Sequence, residues 1–283
     1  MKAIDFRFRP HTKEIMEGIA NSTIFRPGME AAGVDMDAFA ASYEPIDDIV
    51  KSMKEYGMLR GVIVCRDTET SMGYKSNNED MAPFLQEYPD FFIGFAGIDP
   101  LKGMFAVREL TRLVTEEGFK GAAIEPFYCG VRPDDAINYP IYAKCCELDI
   151  PCVITTGISP GTPRAYLMNT HPMYIDKVAT DFPELKIVLS HGCYPFINDL
   201  IGVATRNPNV YFEISDAVGM ALSHLYYDAA NAGDIADQLL FASAHPFTNF
   251  QDAVAMYRDF GLNEDVLEKV LWKNAAKVLG LSL

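Results

Sequence analysis

Two arginines close the first apolar segment of the chain, in the stretch FRFRP. If this segment is a strand, Arg7 and Arg9 lie on the same side, because strand side chains repeat every second residue. A guanidinium is a permanent cation whose paired N–H donors match the shape of a carboxylate. The spacing therefore predicts a site that binds a small carboxylic acid. In the alternative interpretation both arginines are structural and pair with Glu125 or Glu213.

Three further residues at the ends of later apolar segments have side chains that exchange protons. His191 and His245 are candidates because an imidazole titrates near neutral pH, and Glu125 is a candidate because a shielded carboxyl can act as an acid or a base. We predict that these three are the catalytic residues. Each also has a plain structural interpretation, as a polar group that hydrogen-bonds in a turn or pairs with an arginine.

The remaining candidates are expected to bind the substrate. Arg66 ends the second apolar segment, Tyr128 follows the fourth, and Thr155 ends the fifth. Together with the two arginines of FRFRP they would form a positive pocket. Asp5 also lies in the first segment, where hydrogen bonding to neighbouring backbone is its simplest role.

Eight segments rich in β-branched and aromatic residues predict buried strands, and amphipathic stretches separate them. The segments are AIDFRF, LRGVIVCR, FFIGFAGIDP, KGAAIEPF, CVITTG, LKIVLSHG, NVYFEIS and LLFASAHPF. This alternation predicts an α/β fold, a (β/α)8 TIM barrel that spans residues 1–283 as a single domain. An open doubly wound sheet is the alternative, but no glycine-rich nucleotide-binding motif follows a strand. Residues 10–44 and 157–172 are expected to be loop-rich and to lie over the catalytic face or form an oligomer contact.

The composition narrows the choice of partners. The formal net charge is −15 over 283 residues, so nucleic acid and anionic membranes are disfavoured. No apolar run has the roughly 18 residues of a membrane span, and we expect a cytoplasmic protein. Six cysteines without a CxxC pair predict buried free thiols rather than structural zinc. A homo-oligomer is left open.

Several segments resemble the amidohydrolase superfamily, in particular its amidohydrolase-2 branch of barrel hydrolases and decarboxylases. The stretch HPMYIDKVATDFPELKIVLSHGCYPF is similar to the sixth-strand signature of that branch. FIGFAGIDP resembles its third strand, KGAAIEPFY its fourth and WKNAAKVLGL its closing helix. The resemblance covers nearly the whole chain and implies a TIM barrel that acts on small aromatic or dicarboxylic acids.

The resemblance also implies a metal site, and here the sequence departs from the family. The first-strand pattern Asp-x-His-x-His is Asp5-Phe-Arg7-Phe-Arg9, Thr155 replaces the fifth-strand histidine, and Ala244 replaces the eighth-strand aspartate. Of the family's metal-binding histidines, His191 is retained. Zinc needs three or four N, S or O donors, and arginine has no lone pair to offer. We therefore expect no metal and no other cofactor, although a rebuilt site using His191, His245 and Glu125 is an alternative.

The arginines and the resemblance together predict a metal-independent enzyme for a small carboxylated substrate. Hydrolysis of a lactone or a related ester or amide is the first hypothesis. Decarboxylation of an aromatic or unsaturated acid is the alternative, since the branch contains such enzymes. A non-catalytic barrel that binds an anionic metabolite is the third.

Overall fold

Eight parallel strands form the centre of the computed structural model, which describes residues 1–22, 25–158 and 165–283. The strands are β1 Ala3–Phe8, β2 Met58–Val64, β3 Phe92–Gly97, β4 Gly121–Ile124, β5 Cys152–Thr155, β6 Ile187–Ser190, β7 Val210–Glu213 and β8 Leu239–Leu240. Each strand pairs with the next one along the chain. All eight coincide with segments predicted from their β-branched and aromatic content.

The sheet curls until its two edges meet. The amide of Phe6 in β1 donates to the carbonyl of Phe241 at 3.0 Å, and Arg9 N–H donates to the His245 carbonyl at 3.2 Å. These bonds join the segment after β8 to β1 and make a nearly closed barrel. The predicted TIM barrel is thus confirmed, whereas the limits 1–283 of the domain stay a prediction.

Helices cover the outside of the barrel. The α-helices are α1 Lys13–Ala20, α2 Arg26–Ala31, α3 Met36–Ala41, α4 Ile46–Tyr56, α5 Glu69–Met72, α6 Asn78–Glu87, α7 Met104–Thr115, α8 Pro126–Cys129, α9 Tyr139–Glu147, α10 Pro172–Asp181, α11 Ile197–Arg206, α12 His224–Ala232, α13 Phe250–Asp259, α14 Glu264–Glu268 and α15 Asn274–Leu279. Short 3₁₀ turns lie at Pro100–Lys102, Leu167–Thr170 and His191–Cys193, and a π-helical turn at Lys269–Lys273 joins α14 to α15.

The apolar side chains form two layers, as alternation along a strand requires. One layer fills the barrel and includes Ile4, Phe6, Val62 and Phe95. The other lies between the strands and the helices. In β1 the pairing with β2 shifts register between Asp5 and Phe8. The strand β1, which carries Arg7 and ends just before Arg9, is therefore irregular where it reaches the barrel mouth.

The segment 10–44 differs from its prediction, because it contains the three helices α1 to α3 instead of loops. The stretch KEIMEGIA buries Met16, Ile19 and Ala20 on one face, and this pattern was too short to be recognised. In the segment 157–172 the turn Leu167–Thr170 is helical, and residues 159–164 lie outside the described part of the chain.

No helix in the described ranges combines the length and the apolar character needed to cross a bilayer. Cys65, Cys129, Cys145, Cys152 and Cys193 are buried free thiols, and Cys146 is partly buried. The cytoplasmic location and the homo-oligomer stay predictions.

Candidate functional site

Arg7 and Arg9 reach the barrel mouth from the end of β1. Arg7 is only 3% exposed, and its Nη1 donates to Ser190 Oγ at the end of β6, 2.6 Å away. The Arg7 Nε and Arg9 Nη1 atoms are buried and have no hydrogen-bond partner among the described residues. Burial, together with the charges of Arg7 and Arg66, lowers the pKa of Arg9 to about 10. Buried N–H donors without a partner are costly, so this part of the mouth is suited to an anion.

Arg66, at the end of β2, has a protein partner. Its Nε lies 2.7 Å from Glu125 Oε2, and Thr155 Oγ1 donates to the other Glu125 oxygen at 3.1 Å. The guanidinium carbon lies 4.7 Å from the ring centroid of Tyr128 and 4.9 Å from that of Phe25. The predicted acid–base residue Glu125 is thus held in an ion pair. Arg66 also lies within cation–π distance of two aromatic rings.

His191 lies in a strained turn after β6. Its φ is +62°, a left-handed conformation that is uncommon outside glycine. The Glu213 carboxylate accepts from the His191 amide at 3.1 Å and from the Ser215 amide at 2.7 Å. The ring Nδ1 lies 3.1 Å from Asp216 Oδ2. A buried carboxylate therefore fixes the turn and a second, half-exposed one orients the ring.

The protonation state of His191 follows from these contacts. Burial lowers its pKa, although the negative charge of Asp216 acts in the opposite direction. The ring is then neutral at neutral pH, and the contact with Asp216 places the hydrogen on Nδ1. Nε2 is left with its lone pair, which is the arrangement of a general base oriented by a carboxylate.

His245 is in a different environment. Its ring stacks on Phe8 with centroids 4.8 Å apart, and its Nε2 lies 2.8 Å from His11 Nδ1. Burial and the neighbouring His11 lower its pKa to about 3. The preceding residue, Ala244, has a φ of +56°, which redirects the chain after β8. The catalytic role predicted for His245 stays a prediction, with its ring packed against aromatic neighbours.

Two cavities meet at the mouth, and we call them the large and the small chamber. The large chamber, of about 450 Å³, and the small chamber, of about 190 Å³, share the lining residues Arg7, Arg9, Phe25 and Arg66. Of the other predicted site residues, Tyr128, Thr155 and His191 line the small chamber and Glu125 lines the large one, whereas His245 lines neither.

Among the lining residues that the sequence interpretation missed, three contact the predicted site residues. Asp216 lines the small chamber and follows Ser215, so a scan one residue further past β7 would have found it. Phe25 and Phe247 lie in loops far apart in sequence, and no local signal marked them. The guanidinium carbon of Arg9 lies 5.9 and 5.6 Å from their ring centroids. Aromatic rings thus lie next to Arg9, as they do next to Arg66.

Asp5 stays outside the cavities and has a structural role. Its buried carboxylate accepts hydrogen bonds from the amides of Arg7 and Ser243, at 3.1 and 2.9 Å, and from the Ser243 hydroxyl. These bonds join β1 to the segment after β8. Burial raises the pKa of Asp5 to about 7.

The comparison with protein families agrees with this geometry. The amidohydrolase model of the amidohydrolase-2 branch matches residues 26–281, which is most of the chain. The chain belongs to the amidohydrolase family.

Solved structures share the amidohydrolase barrel over its full length. An uncharacterised TIM-barrel protein from Bordetella bronchiseptica is 27% identical, with a TM-score of 0.79 and 99% of each chain covered. A 5-carboxyvanillate decarboxylase from Sphingomonas paucimobilis is 16% identical, with a TM-score of 0.72 and 99% of each chain covered. A dihydroxybenzoic acid decarboxylase from Polaromonas, with bound manganese and the inhibitor 2-nitroresorcinol, is 20% identical, with a TM-score of 0.67, covering 99% of this chain and 97% of that one.

The residues at the mouth of this amidohydrolase do not fit a divalent metal. Arg7 and Arg9 bring positive charge and no lone pairs, and Ala244 has no donor atom. Glu125 is already paired with Arg66. In the described ranges no group of three or more His, Cys, Asp or Glu side chains has an arrangement that could hold a metal ion. What the mouth offers instead is hydrogen-bond donors for an anion.

Proposed function

We propose that this chain is a metal-independent enzyme that binds a small carboxylic acid at Arg7, Arg9 and Arg66 and converts it by proton transfer at His191. One observation carries the proposal: Arg7 and Arg9, each with a buried N–H group that has no partner among the described residues, line the same small chamber as His191, whose ring contacts Asp216. A carboxylate supplies the missing acceptors, and charge-assisted hydrogen bonds of this kind are about twice as strong as neutral ones. The remaining residues of the small chamber surround the reacting part of the molecule.

Decarboxylation of a hydroxylated aromatic acid is the first reaction. Its support is the likeness to decarboxylases of aromatic acids and the aromatic wall of the small chamber, which includes Phe127, Tyr128 and Phe247. In this reaction the bond between ring and carboxylate breaks, carbon dioxide leaves, and the ring carbon keeps the electron pair and takes a proton. His191, neutral at rest, would first take a proton from solvent water at Nε2 and then transfer it to the ring carbon, and the guanidinium groups would stabilise the negative charge that stays on the substrate until the proton arrives.

Hydrolysis of a lactone is the second candidate, and the state of His191 favours it. A neutral imidazole with a free Nε2 can accept a proton from water, which then attacks the lactone carbonyl. The carbonyl oxygen becomes negative, and a guanidinium stabilises it before the ring C–O bond breaks. The solved structures described above give this reaction no support of their own.

The test is a panel of hydroxybenzoates and lactones, assayed for carbon dioxide release and for acid production after treatment of the protein with a chelator. Turnover of a panel member is expected, and His191→Asn should lower kcat by about 10²–10⁴. Arg7→Met and Arg9→Met should each weaken binding of the acid roughly 10- to 100-fold, since a hydrogen bond to a charged group contributes about 1.5–3 kcal/mol.

Arg206→Met is the matched control, because Arg206 pairs with Asp176 on the surface, away from both chambers. Its kinetics and binding should equal those of the unmodified protein. If acids bind through the arginines but none is turned over, the proposal of an enzyme is wrong, and the chain is a barrel that only binds anions. Full binding by both arginine variants would overturn the site itself.

A further inference from the structure

The large chamber has no part in the chemistry proposed above. His191 and Asp216 line the small chamber, whereas the large one has more than twice its volume, about 450 against 190 Å³. A volume of this size lies in the ~300–1,000 Å³ range of pockets that enclose whole small molecules. It opens directly beside Arg9, which lines both chambers.

Apolar side chains of two helices form part of the wall of the large chamber. Helix α1 contributes Ile15 and Ile19, and helix α6 contributes Met81 and Phe84. Apolar surface removed from water stabilises a complex in proportion to its area. A ligand held at the arginines would therefore gain affinity from an apolar group directed between these helices.

Two carboxylates in the large chamber restrict the chemical group at the far end of the ligand's apolar part. Glu14 of α1 and Asp80 of α6 line the same chamber and are solvent-exposed. A second negative group placed between them would be repelled, since like charges at short range cost free energy even in a partly aqueous setting. The chamber is thus positive at the arginines, apolar along its walls and negative at these two side chains.

We propose that the substrate is an amphipathic monocarboxylic acid whose carboxylate contacts Arg7, Arg9 and Arg66 and whose apolar body lies between α1 and α6. The inference rests on the proposed function for the carboxylate contact and adds the class of acid. It means that a bare hydroxybenzoate is a poor substrate, and that an aryl or alkyl extension ending in a neutral group improves binding.

Non-reacting probes test the chamber separately from catalysis. Isothermal titration of the full chain with butanoate, octanoate and octanedioate measures binding alone. Each buried methylene group is worth roughly a fourfold gain in affinity. Octanoate should therefore bind at least about tenfold more tightly than butanoate, and octanedioate more weakly than octanoate. The double change Glu14→Gln with Asp80→Asn should restore octanedioate towards the affinity of octanoate.

A variant that narrows the chamber provides the second arm. Gly18 of α1 lines the chamber, and a Cβ added there meets no atom within 4 Å, so the side chain of Gly18→Leu starts without a clash. This change should reduce the ratio of octanoate to butanoate affinity at least threefold. Gly202→Leu in α11 is the matched control, because Gly202 is also a helical glycine with no atom within 4 Å, and it lines neither chamber. The ratio of octanoate to butanoate affinity in Gly202→Leu should equal that of the unmodified protein.

The outcomes separate this inference from the proposed function. Suppose that the acids bind and Arg9→Met weakens their binding, but neither chain length nor Gly18→Leu alters the affinity. The acid site then stands, and the placement of the apolar body is wrong. If no acid binds to either chamber, both proposals fall. If octanedioate binds as tightly as octanoate in the unmodified protein, the restriction to monocarboxylic acids is wrong.

Discussion

At the scale of single residues, the informative feature is a buried arginine with no carboxylate paired to it in the described part of the chain. Arg66 pairs with the Glu125 carboxylate, whereas no ion pair is found for Arg7 or Arg9 among the described residues, and all three arginines retain one buried nitrogen without a hydrogen-bond partner there. A buried guanidinium that lacks its acceptors destabilises the folded chain. Such a cost is common at binding sites, where the ligand removes it. Arg9→Met should accordingly leave the unliganded protein no less stable while it loses the response to acids.

The pair formed by His191 and Asp216 gives a prediction for pH dependence. Asp216→Asn removes the charge that raises the pKa of His191 while burial continues to lower it, so the pKa falls further. The limb that His191 contributes to the profile of kcat/KM against pH should then move to lower pH. If His191 acts as a base, activity rises with pH along that limb, and if it acts as an acid, activity falls.

Asp199→Asn is the control for this measurement. Asp199 lies 3.8 Å from His171 at the surface and lines neither chamber, so its removal should leave the limb in place. A limb that stays fixed or moves to higher pH in Asp216→Asn would show that the limb belongs to a group other than His191.

At the scale of elements, Asp5 closes the barrel by bonding β1 to the segment after β8. Its pKa is raised by burial from the ordinary 3.8 to about 7, so between these values the folded chain binds more protons than the unfolded chain. Stability from this group is complete below pH 3.8 and is lost as the pH rises towards 7. Asp5→Asn should remove this decline.

Thermal unfolding of both proteins between pH 4 and 8 measures the effect. As the pH rises, the Tm of the unmodified protein should fall relative to the Tm of Asp5→Asn. The slopes of Tm against pH must be compared, because an asparagine side chain has one acceptor oxygen where aspartate has two. The variant therefore also loses a hydrogen bond to the Ser243 amide or hydroxyl. Parallel slopes would mean that Asp5 is ionised throughout this range.

The elements were more predictable from the sequence than the site. A run such as LKIVLS specifies a buried strand locally, and parallel strands in a barrel bring their carboxyl ends together, so Arg7, Arg66 and His191 could be assigned to one mouth in advance. Side-chain direction after a strand depends on turns that the sequence does not reveal. The left-handed residues His191 and Ala244 set which way the two predicted histidines face.

Loop residues were less predictable still. Phe25 and Phe247 surround Arg9 only because tertiary packing brings two distant loops together. The large chamber depends on α1, a helix of eight residues whose amphipathic pattern spans two turns. A pattern this short does not distinguish a helix from a loop.

At the scale of the whole molecule, the arginines stand out against a formal net charge of −15. An acidic surface attracts divalent cations in general, so weak, salt-sensitive metal binding at the surface says nothing about the mouth. The mouth itself is the one place where the family fold would hold a metal, and there Arg7 and Arg9 supply positive charge. Any ion seated between them would face repulsion in addition to a shortage of donors.

The purified chain should therefore hold little tightly bound metal. After dialysis against a chelator and then against metal-free buffer, elemental analysis should find far less than one zinc or manganese ion per chain, and Tm should stay within about 1 °C of the untreated protein. Addition of either metal in moderate salt should not raise Tm, because binding to the folded state alone would do so. The combined change Arg7→His with Arg9→His supplies donors at the same positions and removes both charges, so this variant should bind zinc more tightly than the unmodified protein. About one tightly held ion per unmodified chain, with loss of turnover on its removal, would overturn the metal-independent mechanism while leaving the barrel and its family unchanged.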